Sequence, residues 1–172
     1  MVVCKIMSGG QTGVDRAALD VALELGIPCG GWCPRGRKAE DGVIPSLYPL
    51  SETCSTDYSE RTARNVLDAN ATLIITRGPM SGGTALTAEI ARRRNKPCRI
   101  VDLDRTPGPH AVRAWLTREH VSILNVAGPR ESGCPGIYDR AVHFLRQLLD
   151  QKGRFQSLRA DDSEELHPRG SK

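Results

Sequence analysis

The residues best suited to chemistry stand in three polar, glycine-rich stretches. The first is Ser8-Gly9-Gly10-Gln11-Thr12-Gly13-Val14-Asp15-Arg16, set between the apolar run Val2, Val3, Cys4, Ile6 and a long apolar helical segment. It reads as a strand, a glycine turn and a helix start. Glycines let the backbone turn sharply and leave amide N–H groups uncovered at a helix N-terminus, where the dipole favours negative charge. Arg77-Gly78-Pro79-Met80-Ser81-Gly82-Gly83-Thr84 repeats that setting behind a second apolar run, and Ala127 to Gly136, with Arg130 and Asn125 close by, follows a third. The chemistry expected is the holding of a phosphate or another tetrahedral oxyanion by backbone N–H groups and hydroxyls. Arg35, Arg37, Arg77 and Arg130 lie in loops at the same end and offer forked, charge-assisted contacts.

Several other chemistries are excluded by what these stretches lack. The opening turn has no Gly-Lys-Ser/Thr, so it is not a Walker A loop. Its Gly-Gly-x-x-Gly is shorter than a dinucleotide fingerprint, and the second strand ends in Cys33-Pro34 where a ribose-binding acid belongs. No Gly-x-Ser-x-Gly elbow occurs, and His110, His120, His143 and His167 lie outside the strand-end turns, which argues against a Ser-His or Cys-His hydrolase. The six cysteines are scattered without a CxxC pair. Cys29 and Cys33, the closest pair, are expected to be buried free thiols rather than ligands, and neither a structural metal site nor a disulfide scaffold is expected.

These loops must be carried by alternating strands and helices. A helix over 14–25 has the stripe Ala17, Ala18, Val21, Ala22, Leu25 and stops at Gly26. A second strand follows from Ile27 to Trp32, then a long polar connection from Cys33 through Tyr48-Pro49-Leu50. Such connections are usually functional. A helix over 58–69, capped by Asp57 or Ser59, presents Ala63, Val66, Leu67 and Asn70 on one side. Ala71 to Thr76 is a continuous apolar run of strand length, as in a parallel strand buried on both faces. A helix from about Thr84, a strand over 98–103, a helix over 107–119, a strand over 121–126 and a helix over 137–149 complete the pattern. The fold expected is α/β: a three-layer α/β/α sandwich with a mainly parallel sheet of at least five strands and right-handed crossovers. Ligands bind such sheets beyond the carboxyl ends of the strands, where the strand order reverses. If the strands before the 8–13 and 81–84 turns are neighbours there, both helix ends converge on one pocket.

Length and composition agree with this. At 172 residues the chain suits one domain over 1–150, followed by a frayed or disordered tail over 151–172 where apolar residues thin out. A net charge of +4 without a dense Lys/Arg tract gives no argument for nucleic acid or a membrane surface. No signal peptide and no bilayer-length apolar run is present, so a cytoplasmic location is the default expectation.

Taken together, Ser8 to Arg16, Gly31-Trp32-Cys33-Pro34-Arg35-Gly36-Arg37 with Glu40-Asp41-Gly42 behind it, Tyr48-Pro49-Leu50 and Ser81-Gly82-Gly83-Thr84 resemble the molybdenum cofactor carrier family. That family belongs to a Rossmann-like superfamily shared with the lysine-decarboxylase-like cytokinin phosphoribohydrolases and with nucleotide-sensing domains. The resemblance implies binding of molybdenum cofactor or molybdate, storage or delivery rather than turnover, homo-oligomers built from helix faces, and molybdoenzymes as recipients. On that reading Gly9, Gly10, Gly82 and Gly83, with Thr12, Ser81 and Thr84, hold phosphate or molybdate oxygens. An acid such as Asp15, Glu40, Asp41 or Glu89, or Asn125, accepts from a pterin or purine edge. Asp15 reads equally as a first-turn acid favouring the dipole. The enzymatic relatives carry Gly-Gly-x-Gly-Thr-x-x-Glu. Here one glycine is absent, Thr87 fills the glutamate's offset and Glu89 comes two residues later, so a non-catalytic carrier is preferred over a nucleoside-monophosphate phosphoribohydrolase or a nucleotide-sensing module.

Overall fold

The computed structural model describes residues 3–105 and 108–150. In chain order the elements are β1 (Lys5–Met7), α1 (Val14–Glu24), β2 (Cys29–Cys33), β3 (Lys38–Ala39), β4 (Gly42–Val43), β5 (Leu50–Glu52), α2 (Tyr58–Asp68), β6 (Ala71–Thr76), α3 (Gly82–Arg93), β7 (Cys98–Asp102), α4 (Pro109–Arg118), β8 (Ile123–Ala127) and α5 (Ile137–Leu149). Six strands form one sheet in the order β5-β2-β1-β8-β6-β7, and every pairing in it is parallel. The expected α/β architecture is therefore present, with six strands in the sheet.

Its layers follow from the sequence pattern. All six residues of β6 are buried, as an apolar strand covered on both faces requires. Val14, Ala17, Ala18 and Val21 of α1, Val112, Trp115 and Leu116 of α4, and Ile137, Ala141, Phe144, Leu145, Leu148 and Leu149 of α5 pack with Ile6, Leu73, Ile75 and Leu124 in the main core. Helices α2 and α3 pack on each other against the opposite face, as right-handed crossovers dictate. Among the described residues no helix is long and apolar enough to cross a membrane, and none of the cysteines is in a disulfide.

Three expectations are corrected. Strands β1 and β6 are not neighbours: the last strand, β8, lies between them, pairing Leu124 with both Ile6 and Ala71. The connection over 33–50, read as a polar loop, is in part regular: it holds the β3–β4 hairpin and leads into the edge strand β5. Two- and three-residue strands such as Leu50-Ser51-Glu52 carry too little periodicity to be read from sequence. The buried side of α2 is Thr62, Asn65 and Val66 rather than Ala63, Leu67 and Asn70. Asn65 turns inward because its amide accepts from Trp32 N at 2.8 Å and donates to Trp32 O at 2.9 Å, extending the β2 ladder. The Asp57 cap is present, with Oδ1 accepting from Ser59 N at 2.9 Å. The expectations for residues 151–172, and for Val2 and Pro107, lie outside the described residues.

Candidate functional site

A cleft of ≈ 580 Å³ opens at the carboxyl ends of β1, β8 and β6, within the range of ≈ 300–1,000 Å³ usual for ligand pockets. Each wall comes from a loop that follows a strand or opens a helix. The β1–α1 loop contributes Gln11 and Asp15, the start of α2 contributes Tyr58 and Arg61, the β6–α3 turn contributes Arg77 and Ser81 to Thr84, and the β8–α5 loop contributes Arg130 and Cys134.

The β6–α3 turn gives the cleft its donors. Ser81 is the N-cap of α3, and its hydroxyl makes no capping bond. Thr84 N and Ala85 N fold back onto Ser81 O at 3.2 and 3.3 Å. The N–H groups of Gly82 and Gly83 have no acceptor among the described residues. Gly82 is at φ +51°, left-handed backbone that disfavours a side chain. A 12-residue helix thus presents its positive end to the cleft with two donors available.

The floor is an ion pair. Arg61 Nη1 lies 3.1 Å from Asp15 Oδ2, with side chains 13% and 5% exposed, and Gln11 N also donates to that carboxylate, at 3.4 Å. Burial pushes the Asp15 carboxyl up from its ordinary range, while the Arg61 charge and hydrogen bond pull it back. The approach depends on Gly9, where a Cβ would stand 1.6 Å from Arg61 Nη1. Tyr58 sits beside two guanidiniums, its ring centroid 5.8 Å from Arg61 and 4.9 Å from Arg130.

The three cleft arginines differ in how far their charge is used. Arg61 is paired with Asp15, and Arg77 with Asp104 at 3.3 Å. Arg130 rests on the Tyr58 ring and has no ion pair or side-chain hydrogen bond among the described residues. With Asp15 engaged, Arg130 and the α3 N-terminus are the unspent positive groups, an arrangement suited to an anion.

Of the residues proposed from the sequence, Gln11, Asp15, Arg77, Ser81, Gly82, Gly83, Thr84 and Arg130 meet at this cleft. The others do not line it. Ser8 is buried, its Oγ donating to Val126 O at 2.8 Å, and Gly10 packs against Ile44 and Leu50. Thr12 donates to Glu40, Arg16 pairs with Asp41, and Gly13 lies against the backbone of Pro129 and Glu131. Arg37 points away, spending its guanidinium on the carbonyls of Ile44, Pro45, Tyr48 and Leu50 at 3.0–3.1 Å. Arg35 is exposed. Glu89 pairs with Arg93 one turn along α3, and Asn125, 1% exposed, lies below the cleft floor.

Among the cleft residues that the sequence reading missed, Arg61 and Tyr58 of α2 matter most for its charge. Their helix carries no glycine turn to draw attention. The available signal was the i,i+4 pair Arg61 and Asn65, polar residues beside the buried Thr62 and Val66.

A doubly wound parallel sheet with an anion-suited cleft beyond its strand ends is a Rossmann-like ligand-binding architecture. Within that class the chain matches, over residues 6–149, the model of the circularly permutated YpsA SLOG family, and it belongs to that family. It is also similar to the crystal structure of a putative molybdenum carrier protein from Syntrophus aciditrophicus SB. The two are 47% identical, covering 87% of this chain and 96% of that one, with a TM-score of 0.84. The resemblance drawn from the motifs is borne out at the level of family. No curated protein matches the chain.

Proposed function

We propose that this protein binds molybdenum, as molybdate or within molybdenum cofactor, for storage or delivery and without turnover. The observation that carries this reading is the convergence on one cleft of the open Gly82–Gly83 N–H pair and of Arg130, which has no ion pair among the described residues, in a chain 47% identical to a protein named as a putative molybdenum carrier.

The donor set fits the proposed ligand. Among the described residues no group of three His, Cys, Asp or Glu can hold a bare metal ion. Molybdenum is therefore held through its oxo groups, or through the cofactor's phosphate, by N–H and guanidinium donors. When bound, the cofactor brings the metal chemistry with it. The residues of this chain bind and orient: Gly82, Gly83 and Arg130 grip the anion, the Arg61–Asp15 pair forms a floor of little net charge, and Tyr58 holds Arg130 at the rim.

Titration calorimetry with sodium molybdate, and with inorganic phosphate for comparison, tests the reading. Bound at about a hundred times its dissociation constant, molybdate raises the unfolding free energy by about 2.7 kcal/mol. Absence of both heat and thermal shift with molybdate, together with molybdenum-free protein after purification from molybdate-fed cells, overturns it.

The cleft volume of ≈ 580 Å³ also exceeds what one tetrahedral oxyanion fills, which favours a ligand with a body beyond its phosphate. A nucleoside monophosphate is the second reading. Among the cleft residues contributed by α3 there is no carboxylate, and Thr87, at the glutamate's offset, donates to Gly83 O at 2.8 Å. Binding of AMP without release of adenine selects a nucleotide-binding role, and release of adenine selects the hydrolase.

A further inference from the structure

Below the cleft floor lies a second, far smaller cavity between β8, α2 and α3. It shares Asp15, Arg61 and Thr87 with the cleft and adds Asn125 from β8. Its room for water centres is ≈ 10 Å³, about what a single water needs.

Two buried polar atoms on its lining have no protein partner among the described residues: Asn125 Oδ1 and Arg61 Nε. Asn125 is 1% exposed, and its Nδ2 donates to Thr72 Oγ1 at 3.2 Å, so the other end of the amide is left to the cavity. Exchanging the amide's oxygen and nitrogen changes an orphan acceptor into an orphan donor without removing it. Thr87 gives its proton to Gly83 O, which leaves its oxygen lone pairs available at the same place. One acceptor, one donor and a hydroxyl oxygen around a water-sized space are the partners a buried water requires.

We infer that this cavity binds one ordered water, which donates to Asn125 Oδ1 and accepts from Arg61 Nε. Through that water Asn125 acts as a positioning residue for the cleft floor. Arg61 is then held at three points: Nη1 by Asp15, its planar face beside Tyr58, and Nε by the water. Asn125 accordingly serves the site from below, without touching the ligand.

The water does not depend on what the cleft binds; its effect on affinity rests on the oxyanion reading above. Crystal structures of the full chain, of Asn125→Leu and of Asn125→Ser, at a resolution that orders waters, test the first part. The wild type shows one peak within ≈ 2.7–3.2 Å of both Asn125 and Arg61 Nε. Asn125→Leu loses that peak, and Asn125→Ser, with a smaller side chain that keeps a hydroxyl, shows two. No peak in the wild type, or a protein donor found on Asn125 Oδ1, overturns the inference. If Asn125→Leu does not fold, the Asn125→Ser comparison decides alone. Molybdate titrations test the second part. Affinity falls severalfold in Asn125→Leu and is kept in Asn125→Ser; equal affinity in all three chains removes the positioning role. Failure of the wild type to bind molybdate overturns the oxyanion reading and leaves the diffraction result to decide the water.

Discussion

Arg37 and Arg130 both sit on glycine-bearing loops beyond a strand end, yet their guanidiniums meet opposite surroundings. Arg37 is enclosed by four main-chain carbonyls of the segment over 44–50, and the neighbouring hairpin is fastened at its tip by Glu40 to Thr12 and Ser132 and by Asp41 to Arg16. In that region the guanidiniums of Arg37 and Arg16 and the carboxylates of Glu40 and Asp41 are all engaged within the fold. On the cleft side, the Arg130 guanidinium rests on the Tyr58 ring with no ion pair or side-chain hydrogen bond among the described residues, and α3 opens with two N–H groups that have no acceptor there. The same residue types thus build a clamp in one place and leave a binding surface in the other. What separates them is whether a hydrogen-bonding partner within the chain is available.

The largest effect expected is at the cleft floor, the Arg61–Asp15 pair. Arg61→Met leaves the Asp15 carboxylate buried and unpaired, and costs about 3 kcal/mol of unfolding free energy in urea titrations. Adding Asp15→Asn recovers part of that loss, and a double variant no better than Arg61→Met alone removes the pair's importance. Next, Arg37→Ala deletes hydrogen bonds from a charged donor and lowers stability by about 2 kcal/mol, while molybdate affinity is unchanged. Loss of affinity on that substitution breaks the contrast between clamp and cleft.

Arg130→Ala gives the mirror result. Stability stays within about 0.5 kcal/mol of the wild type, and oxyanion affinity falls about tenfold, equivalent to ~1.4 kcal/mol. The smallest effect is on acidification. Burial raises the Glu40 carboxyl, but the bonds from Ser132 and Thr12 outweigh it and hold it below its ordinary 4.5. The Arg16 hydrogen bond and charge hold Asp41 below 3.8. A depressed folded-state value adds stability above the unfolded value and loses it as pH falls through the folded one. The hairpin therefore loosens below about pH 4, seen as lower protection factors, corrected for the intrinsic exchange rate, at the amides of Ala39 to Gly42, while Asp15, shifted upward, responds in the opposite sense. Protection factors at those amides that are unchanged by acid remove the carboxylate fastening. Because both groups are exposed, the energy involved is small.

Much of the scaffold was legible in the chain alone. Ala71 to Thr76 reads as a doubly covered strand because all six residues avoid charge, and α5 declares its buried stripe through Ile137, Ala141, Phe144, Leu145 and Leu148. Hydrophobic period is a local property, so a single sequence records it. The glycine turns after β1 and β6 were legible too, because backbone that must curve into a helix start leaves a compositional mark. The resemblance of several motifs in order placed the family correctly.

Which polar groups remain open was decided only by the tertiary structure. The insertion of β8 between β1 and β6 separates the two glycine turns by one strand and brings Arg130 between them. That order is set by long-range pairing, and residues 118 positions apart, such as Ser8 and Val126, leave no local periodic trace. The same holds for Arg61 meeting Asp15 across 46 residues. From the sequence, the opening loop is an anion turn and Arg37 is as eligible as Arg130. Only packing shows that the loop gives its glycines mainly to the core and to Arg61, and that the open donors belong to the turn before α3.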